Sequence, residues 1–479
     1  MRTWAPVFAV VAWLAVMPDL GVADAPWSES VDLGPGTGRI SDPRLDLASA
    51  GTPQFTYSFA PDRSAVSRSA LARRRPDGTV IRDVMREDMI AQARFGRRSW
   101  AVLRHRAPRG ANGRALLRVS TGSRPGKLGA PKTLARYFVS DDDAELVGSS
   151  LPQIASGPTG SVAIIWTEVA RRRADGSKDG ARIRLVYRLA GGRFSRPTTV
   201  AEQAPRGALR NARLTFHGRR AVTVTYVREA PTATPRRTVE ARVLRLGDRR
   251  LAPQTLGPAP ENSNDVSIAA APGGRTVVAW ANVHGTVMGA RSRYTVRAAL
   301  RAPNDRRFGA AQLLDPGVVN VGSPGELGVG IADDGTATVA WSACTSTALF
   351  PPVEVRAATA APSGRFGAPQ VLTTDGRLTD LVVAEHGATL AVWETDAAGG
   401  AAIQTALRPR GATAFGAPET VAVIPLRYVD PQAPQPDAAF DPGADRFAVM
   451  WAIDDTTATA PPTQIPGSPR LLLATRPAA

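Results

Sequence analysis

The sequence predicts an all-β chain folded as a β-propeller: a seven-bladed ring of four-stranded antiparallel blades, the last closed by an N-terminal strand. Three observations predict it. One unit recurs: GTATVAW, ending at Trp341, leads after a loop into VEVRAATAAPSGRFGAPQVL, ending at Leu372. It returns from Gly274 through Trp280 to Phe308 and Leu314, and from Gly387 through Trp393 to Phe415, Pro418 and Val421. Such self-similarity means one supersecondary unit repeated in space. Gly (44) and Pro (40) are abundant in the 479 residues, as short strands joined by turns require. Finally, the N-terminal segment carries a piece that the last unit lacks.

Each unit has four parts. A run of small and apolar residues, such as Val266-Ser267-Ile268-Ala269-Ala270, makes the first strand. A turn pair follows (Thr159-Gly160, Gly273-Gly274, Asp334-Gly335 or His386-Gly387), suited to hairpins because Gly accepts positive φ. The second strand is β-branched and ends in an aromatic residue: Trp166, Tyr226, Trp280, Trp341, Trp393 and Trp451 mark six units. A degenerate copy, GRRSWAVLRH from Gly96, precedes them with Arg104 at the aromatic position. An alternating third strand, such as Ile183 to Arg188, then leads to an outer strand opened by F-x-x-P-x-x-L/V, as at Phe194, Phe366 and Phe415. Four consecutive antiparallel strands form one sheet, and sheets repeated radially form a propeller. The expected blades are 88–136, 150–202, 209–257, 264–315, 326–373, 378–422 and 436–476.

The last unit stops at Pro477 without its outer element. Trp27 to Leu33 supplies it, with the spacing of Phe366 to Leu372 and Phe308 to Leu314. Residues 24–36 are therefore expected to close the last blade and remove an exposed sheet edge. Burying Trp27 and Leu33 contributes about 2–3 kcal/mol each. Residues 37–87 fit less well. Lacking a closing aromatic and an F-x-x-P element, they read as an insertion in the first blade, with an eighth blade as the alternative.

Ahead of this, Arg2 precedes an apolar run from Trp4 to Val16, too short to span a bilayer, and Pro18 and Gly21 break any helix. Residues 1–23 read as a secretory signal peptide, with cleavage after Ala23 preferred to Ala25 because Pro26 follows the latter. No other run could be a transmembrane segment, so an exported, extracytoplasmic monomer is expected. Cys344 is the only cysteine, so packing rather than a disulfide must hold the fold. No His suggests itself as its partner, and it reads as a packed residue.

The net charge is +17, almost all from Arg; Lys127, Lys132 and Lys178 are the only lysines, a bias that fits a high-GC bacterium. Residues 1–250 hold 43 Lys+Arg against 22 Asp+Glu, and residues 251–479 hold 16 against 20. On a ring this makes a basic crescent, to which Arg73, Arg74, Arg75, Arg171, Arg172, Arg173, Arg236 and Arg237 contribute. A crescent of that sign suits an acidic polysaccharide or cell-wall polymer. The basic stretches lack interleaved aromatics for stacking bases, which argues against nucleic acid.

In this architecture both tight turns of a blade share one face, and the longer loops share the other. The loops are varied, from 167–181 to 452–469, and loops on a rigid scaffold commonly carry function. Polar residues gather just beyond the aromatic positions: His105, Glu168, Glu229, Asn282, His284, Glu394, Asp396, Asp454 and Asp455. If they converge at the channel mouth, their carboxylates could perform acid–base chemistry on a sugar. Asp141-Asp142-Asp143 with Glu145 lacks a calcium-loop spacing and reads as a solvated turn. Gly34 to Gly38 precedes no helix, so it is no phosphate loop. With four His and one Cys, no metal site and no cofactor is expected.

The D-G-T-A-x-V-A-W strand with R-F-G-x-P-x-x-L, over residues 88–476, resembles the repeat propellers of secreted actinobacterial proteins. More distantly it is similar to sialidase-type and WD-type propellers. The S-x-D-x-G-x-T-W box of sialidases is absent, since Gly335 lies six residues before Trp341, and the G-H and W-D pairs of WD repeats are missing too. The functional expectation is a non-enzymatic binding or interaction module docking on an anionic extracellular polymer. The alternative is a carbohydrate-active enzyme, glycosidase or lyase, using carboxylates at the channel mouth.

Overall fold

A computed structural model describes residues 27–478 except 29, 36–38, 49–51, 61–67, 75–78, 86–88, 97–98, 107–113, 123–128, 139–151, 158–159, 170–179, 204–206, 231–235, 248–251, 260–265, 285–291, 320–325, 345–352, 363, 399, 426–435 and 454–469. All regular structure among them is β-strand, in eight antiparallel sheets. Blade 1 comprises Arg39–Ala48, Thr52–Ala60, Arg68–Arg74 and Val80–Met85 from inner to outer strand. Blade 2 is Met89–Gly96, Ser99–Arg106, Arg114–Gly122 and Lys132–Phe138. Blade 3 is Gln153–Ser156, Val162–Val169, Ala181–Arg188 and Thr198–Gln203. Blade 4 is Ala208–His217, Ala221–Glu229, Arg237–Arg245 and Gln254–Pro258.

Blade 5 is Val266–Ala270, Thr276–His284, Ser292–Arg301 and Gln312–Asp315, with Val318–Val319 also on its third strand. Blade 6 is Leu327–Ile331, Ala337–Cys344, Val353–Ala360 and Gln370–Thr373. Blade 7 is Arg377–Val383, Thr389–Ala397, Gly400–Arg408 and Glu419–Pro425. Blade 8 is Asp437–Asp441, Arg446–Ile453 and Arg470–Pro477, completed by Val31–Pro35. Each inner strand packs beside the next, and that of blade 8 beside that of blade 1, so the ring is closed.

The ring thus has eight blades, the alternative given for residues 37–87, which hold a complete blade rather than an insertion in a seven-bladed ring. The closing aromatic is present there after all, as Tyr57, six residues after Gly51 as Trp341 is after Gly335; only the F-x-x-P element is missing. Thr56 pairs with Arg44 as Met450 does with Asp437, so the next residue, Tyr57, holds the aromatic position of Trp451. Phe55 and Tyr57 are the buried aromatics of this blade. Their rings stack at 6.2 Å against Leu33, Leu45, Met450 and Leu473. A blade needs apolar alternation and hairpins; it does not need one particular tryptophan.

The apolar clusters lie between blades. Trp166, Trp280, Trp341, Trp393 and Trp451 are each no more than 2% exposed and fill the gap to the preceding blade. Four of these indoles find partners: Trp166 Nε1 donates to Glu168 Oε2 at 3.0 Å, Trp280 Nε1 to Pro258 O at 3.1 Å, Trp341 Nε1 to Asp315 Oδ2 at 3.0 Å and Trp393 Nε1 to Gln404 Oε1 at 3.1 Å.

A second device repeats at the rim. The Gln after the outer-strand turn exchanges two hydrogen bonds with the backbone of the next blade's Phe. Gln254 does so with Phe308 (2.9 and 2.7 Å), Gln312 with Phe366 (2.8 and 3.0 Å), and Gln370 with Phe415 (3.0 and 2.8 Å). At blade 8 the same place is taken by Trp27, which is 7% exposed. Ser28 N donates to Thr475 O at 2.8 Å, as Gly309 N does to Leu300 O at 2.8 Å and Gly367 N to Thr359 O at 3.0 Å. The Arg476 guanidinium lies 5.6 Å from the Trp27 ring centroid and bonds Glu419, the residue that replaces the clasping Gln. Val31 pairs with Leu473 and Asp32 with Leu472, so the N-terminal strand closes the last blade.

Candidate functional site

Hairpin alternation decides where the expected site residues point. Second-strand side chains face the adjoining blades by turns, and the channel is walled by the inner strands. Glu168 lies on the Trp166 face, accepting from the indole at 3.0 Å with Arg184 Nε at 3.5 Å. Glu229 lies between Arg237 Nε at 2.9 Å and Arg210 Nε at 3.3 Å. Asn282 is buried opposite Thr295. His105 is paired with Met89 and Leu117 in the ladder, and His284 with Arg293. Glu394 is half-buried beside the exposed Asp396; burial pushes its carboxyl up, against the pull of Arg377 and with the push of Asp396. Glu394 and Asp396 are the two carboxylates of this set that the described structure places together. Asp454 and Asp455 lie outside the described residues.

Of the basic set, Arg73 and Arg74 end the third strand of blade 1, and Arg75 and Arg171 to Arg173 lie outside the description. Arg236 is exposed, whereas Arg237 is half-buried on Glu229. Several arginines of the basic half are paired within the molecule. Arg228 bonds Glu240 at 2.8 Å, the Glu202 carbonyl at 3.0 Å and the Gln203 amide. Arg182 bonds Glu202 at 2.7 Å.

The charged group that does reach the channel wall is a different one: Asp380, Asp437 and Arg44, on the inner strands of blades 7, 8 and 1. Asp437 Oδ2 accepts from Leu45 N at 2.5 Å, and its Oδ1 lies 3.2 Å from Arg44 Nη1. Asp380 repeats the geometry one blade earlier, accepting from Ala438 N at 2.9 Å and from Leu381 N at 2.8 Å. One blade before that the position is Gly328, where a Cβ would meet Leu381 Cβ at 2.6 Å, so no side chain fits. The Arg44 side chain is 64% exposed and that of Asp437 10%, so the guanidinium faces water and the acids back it. Burial first, then the neighbouring Asp437, pushes the Asp380 carboxyl up to about 7.

Two acids, one with a raised pKa, are the raw material of acid–base chemistry. Here, however, Asp380 is bonded to its own blade and the next by backbone amides, and Asp437 to the next blade by an amide and a guanidinium. The cluster therefore clasps inner strands around the closing blade. No sequence signal separates these residues, because their strands, RISDPRLDLA, RLTDLVV and DAAFD, carry other charges; two of them stand at bulges, between Ser41 and Arg44 and between Leu378 and Asp380. Among the described residues no group of His, Cys, Asp and Glu could hold a metal ion, and no helix is long and apolar enough to cross a membrane.

No family model matches the chain, and no curated protein matches it either. Solved structures align with it at low similarity. The β-propeller domain of the trilobed protease from Pyrococcus furiosus aligns over 81% of this chain and 98% of that one, at 9% identity and a TM-score of 0.42. The α-L-arabinofuranosidase Arb93A from Fusarium graminearum aligns over 80% and 98%, at 12% identity and a TM-score of 0.39. The acylaminoacyl peptidase of Pyrococcus horikoshii aligns over 87% and 57%, at 11% identity and a TM-score of 0.43. The propeller assignment rests on the strand pairing above.

Proposed function

We propose that the protein is an exported, non-enzymatic binding propeller that docks on an anionic extracellular polymer through the basic side of its ring. One observation carries this reading. Residues 89–258, which span the three adjacent blades 2 to 4, hold 33 Lys+Arg against 11 Asp+Glu, a balance of +22 in a chain whose total is +17. The excess therefore sits on one contiguous arc, and a field of one sign over a rigid surface attracts a polymer of the other. Export rests on the leader-like residues 1–23. The test is retention of the purified chain on an immobilised acidic polysaccharide, polygalacturonate, across a salt gradient, with uncharged dextran as the reference. Retention that falls with salt is the expected result; equal elution from both supports at low salt would sink the reading.

A further inference from the structure

The tight turns all lie on one face of the ring. Within a blade the first and third turns are neighbours, because the start of the second strand pairs with the end of the third, as Ala221 does with Arg245. Bonds between blades confirm it: Gly218 N donates to Pro272 O at 3.1 Å and Asp333 N to Glu385 O at 2.9 Å, turn to turn.

On blades 3 and 4 this face is arginine-rich. The last hairpin of blade 3 presents Arg193 and Arg196, and the first hairpin of blade 4 presents Arg219 and Arg220, all exposed. They are neighbours across the blade boundary. Arg220 Nη2 lies 3.4 Å from Leu246 O, and a Cβ on Gly247 would sit 3.1 Å from that Nη2 and 4.0 Å from the Tyr187 hydroxyl of blade 3. Tyr187 O in turn accepts from Ser195 N at 2.7 Å, between the two blade 3 arginines. Lys132 of blade 2 extends the row, its Nζ 5.7 Å from the Phe194 ring centroid. Among the described residues of these turns there is no Asp or Glu. The same face of blades 6 to 8 carries exposed Asp333, Asp334, Glu385 and Asp445 beside Arg365 and Arg410, so the charge is polarised across the disc.

We infer that this turn face of blades 3 and 4, rather than the long-loop face, is the docking surface, and that its ligand is a linear acidic polysaccharide. Arg193, Arg196, Arg219 and Arg220 bind its anionic groups and Lys132 continues the track. The inference rests on the anionic-polymer reading above. Guanidinium forks match carboxylate and sulfate geometry. Short hydrogen-bonded hairpins hold the forks in place, which lowers the ordering cost of binding. A base-stacking ligand does not fit. Phe194 is already flanked by Lys132 and by Arg188, whose guanidinium lies 5.4 Å from the ring centroid, and Tyr187 is half-buried.

The test uses the full chain and heparin as the immobilised probe. The variant R193A/R196A/R219A/R220A is compared with R306A/R307A/R365A/R410A, which removes the same charge from the same face in blades 5 to 7. Circular dichroism and Tm confirm that both are folded. The expected result is that the first variant binds on the order of tenfold more weakly, with a shallower salt dependence, while the second elutes with the wild type. Equal weakening of both would overturn the location and leave the general reading standing. Wild-type protein that fails to bind at low salt would remove both. Tighter binding to duplex DNA than to heparin, lost in the first variant, would overturn the polysaccharide assignment.

Discussion

Asp380 is a carboxyl that water would ionise and its surroundings do not. Burial and the adjacent Asp437 hold its pKa near 7, well above the usual 3.8, so the folded chain keeps a proton that the unfolded chain releases. Its contribution is complete below about 3.8 and is lost as pH rises through about 7. Asp380→Asn, which keeps a carbonyl acceptor, is expected to flatten the fall in Tm over that window; an unchanged Tm–pH curve would contradict the assignment. His217 acts in the opposite sense. Burial, with help from Arg301, lowers it from 6.5 to about 4, so its share of stability is complete above 6.5 and lost as pH falls through 4. The clasping glutamines are a third case. Gln312→Ala removes two bonds to Phe366 and is expected to cost about 1–3 kcal/mol in urea unfolding, whereas Gln312→Glu keeps one acceptor and loses the donor. The tryptophans and turn glycines were legible because they recur at a period. Asp437 and Arg44 were not, because 393 residues separate partners that only the closed ring brings together.

At the scale of elements, the closing strand was the most legible feature and blade 1 the least. Both outcomes have one cause. The rim joint accepts any large aromatic followed by a residue that can donate its N–H to the third strand, and Trp27-Ser28 meets that need as Phe366-Gly367 does. Blade 1 keeps its aromatic at the common spacing, as Tyr57 rather than Trp, but lacks the F-x-x-P joint, so a search keyed to both marks passes over it. Leu33 is fully buried, so Leu33→Ala is expected to cost about 2–5 kcal/mol, read as a lower urea midpoint at unchanged m. Another element-level device was hidden by composition. Arg301 and Arg408, each 2% exposed, end third strands and bond hairpin carbonyls: Arg301 to Gly274 O at 2.7 Å and Asp305 O at 3.0 Å, Arg408 to Gly387 O at 3.1 Å and Ala412 O at 3.0 Å. In a chain so rich in Arg, nothing in the sequence separates these interior ones from the surface ones. Arg408→Met is expected to lower Tm sharply by orphaning buried acceptors, while Arg410→Met, two residues on and exposed, leaves it unchanged.

For the molecule as a whole, the arginine excess serves two ends. Part of it is consumed between the strands, on Glu168, Glu229 and Glu240, and part stands exposed on the turn face of blades 3 and 4. Charge counting along the chain shows the arc but not the face, since it cannot tell a bonded guanidinium from a solvated one. The pairing of Val31 with Leu473 has a mechanical consequence as well. The two strands run antiparallel, with Ser28 and Thr475 at the same edge, so a pull applied to both ends of the chain separates one rung at a time. A joint loaded in that direction unzips at low tension, whereas a load along the strands would have to shear every rung at once. Tethered by its two ends, the disc would open first at blade 8, however well its remaining blades resist heat.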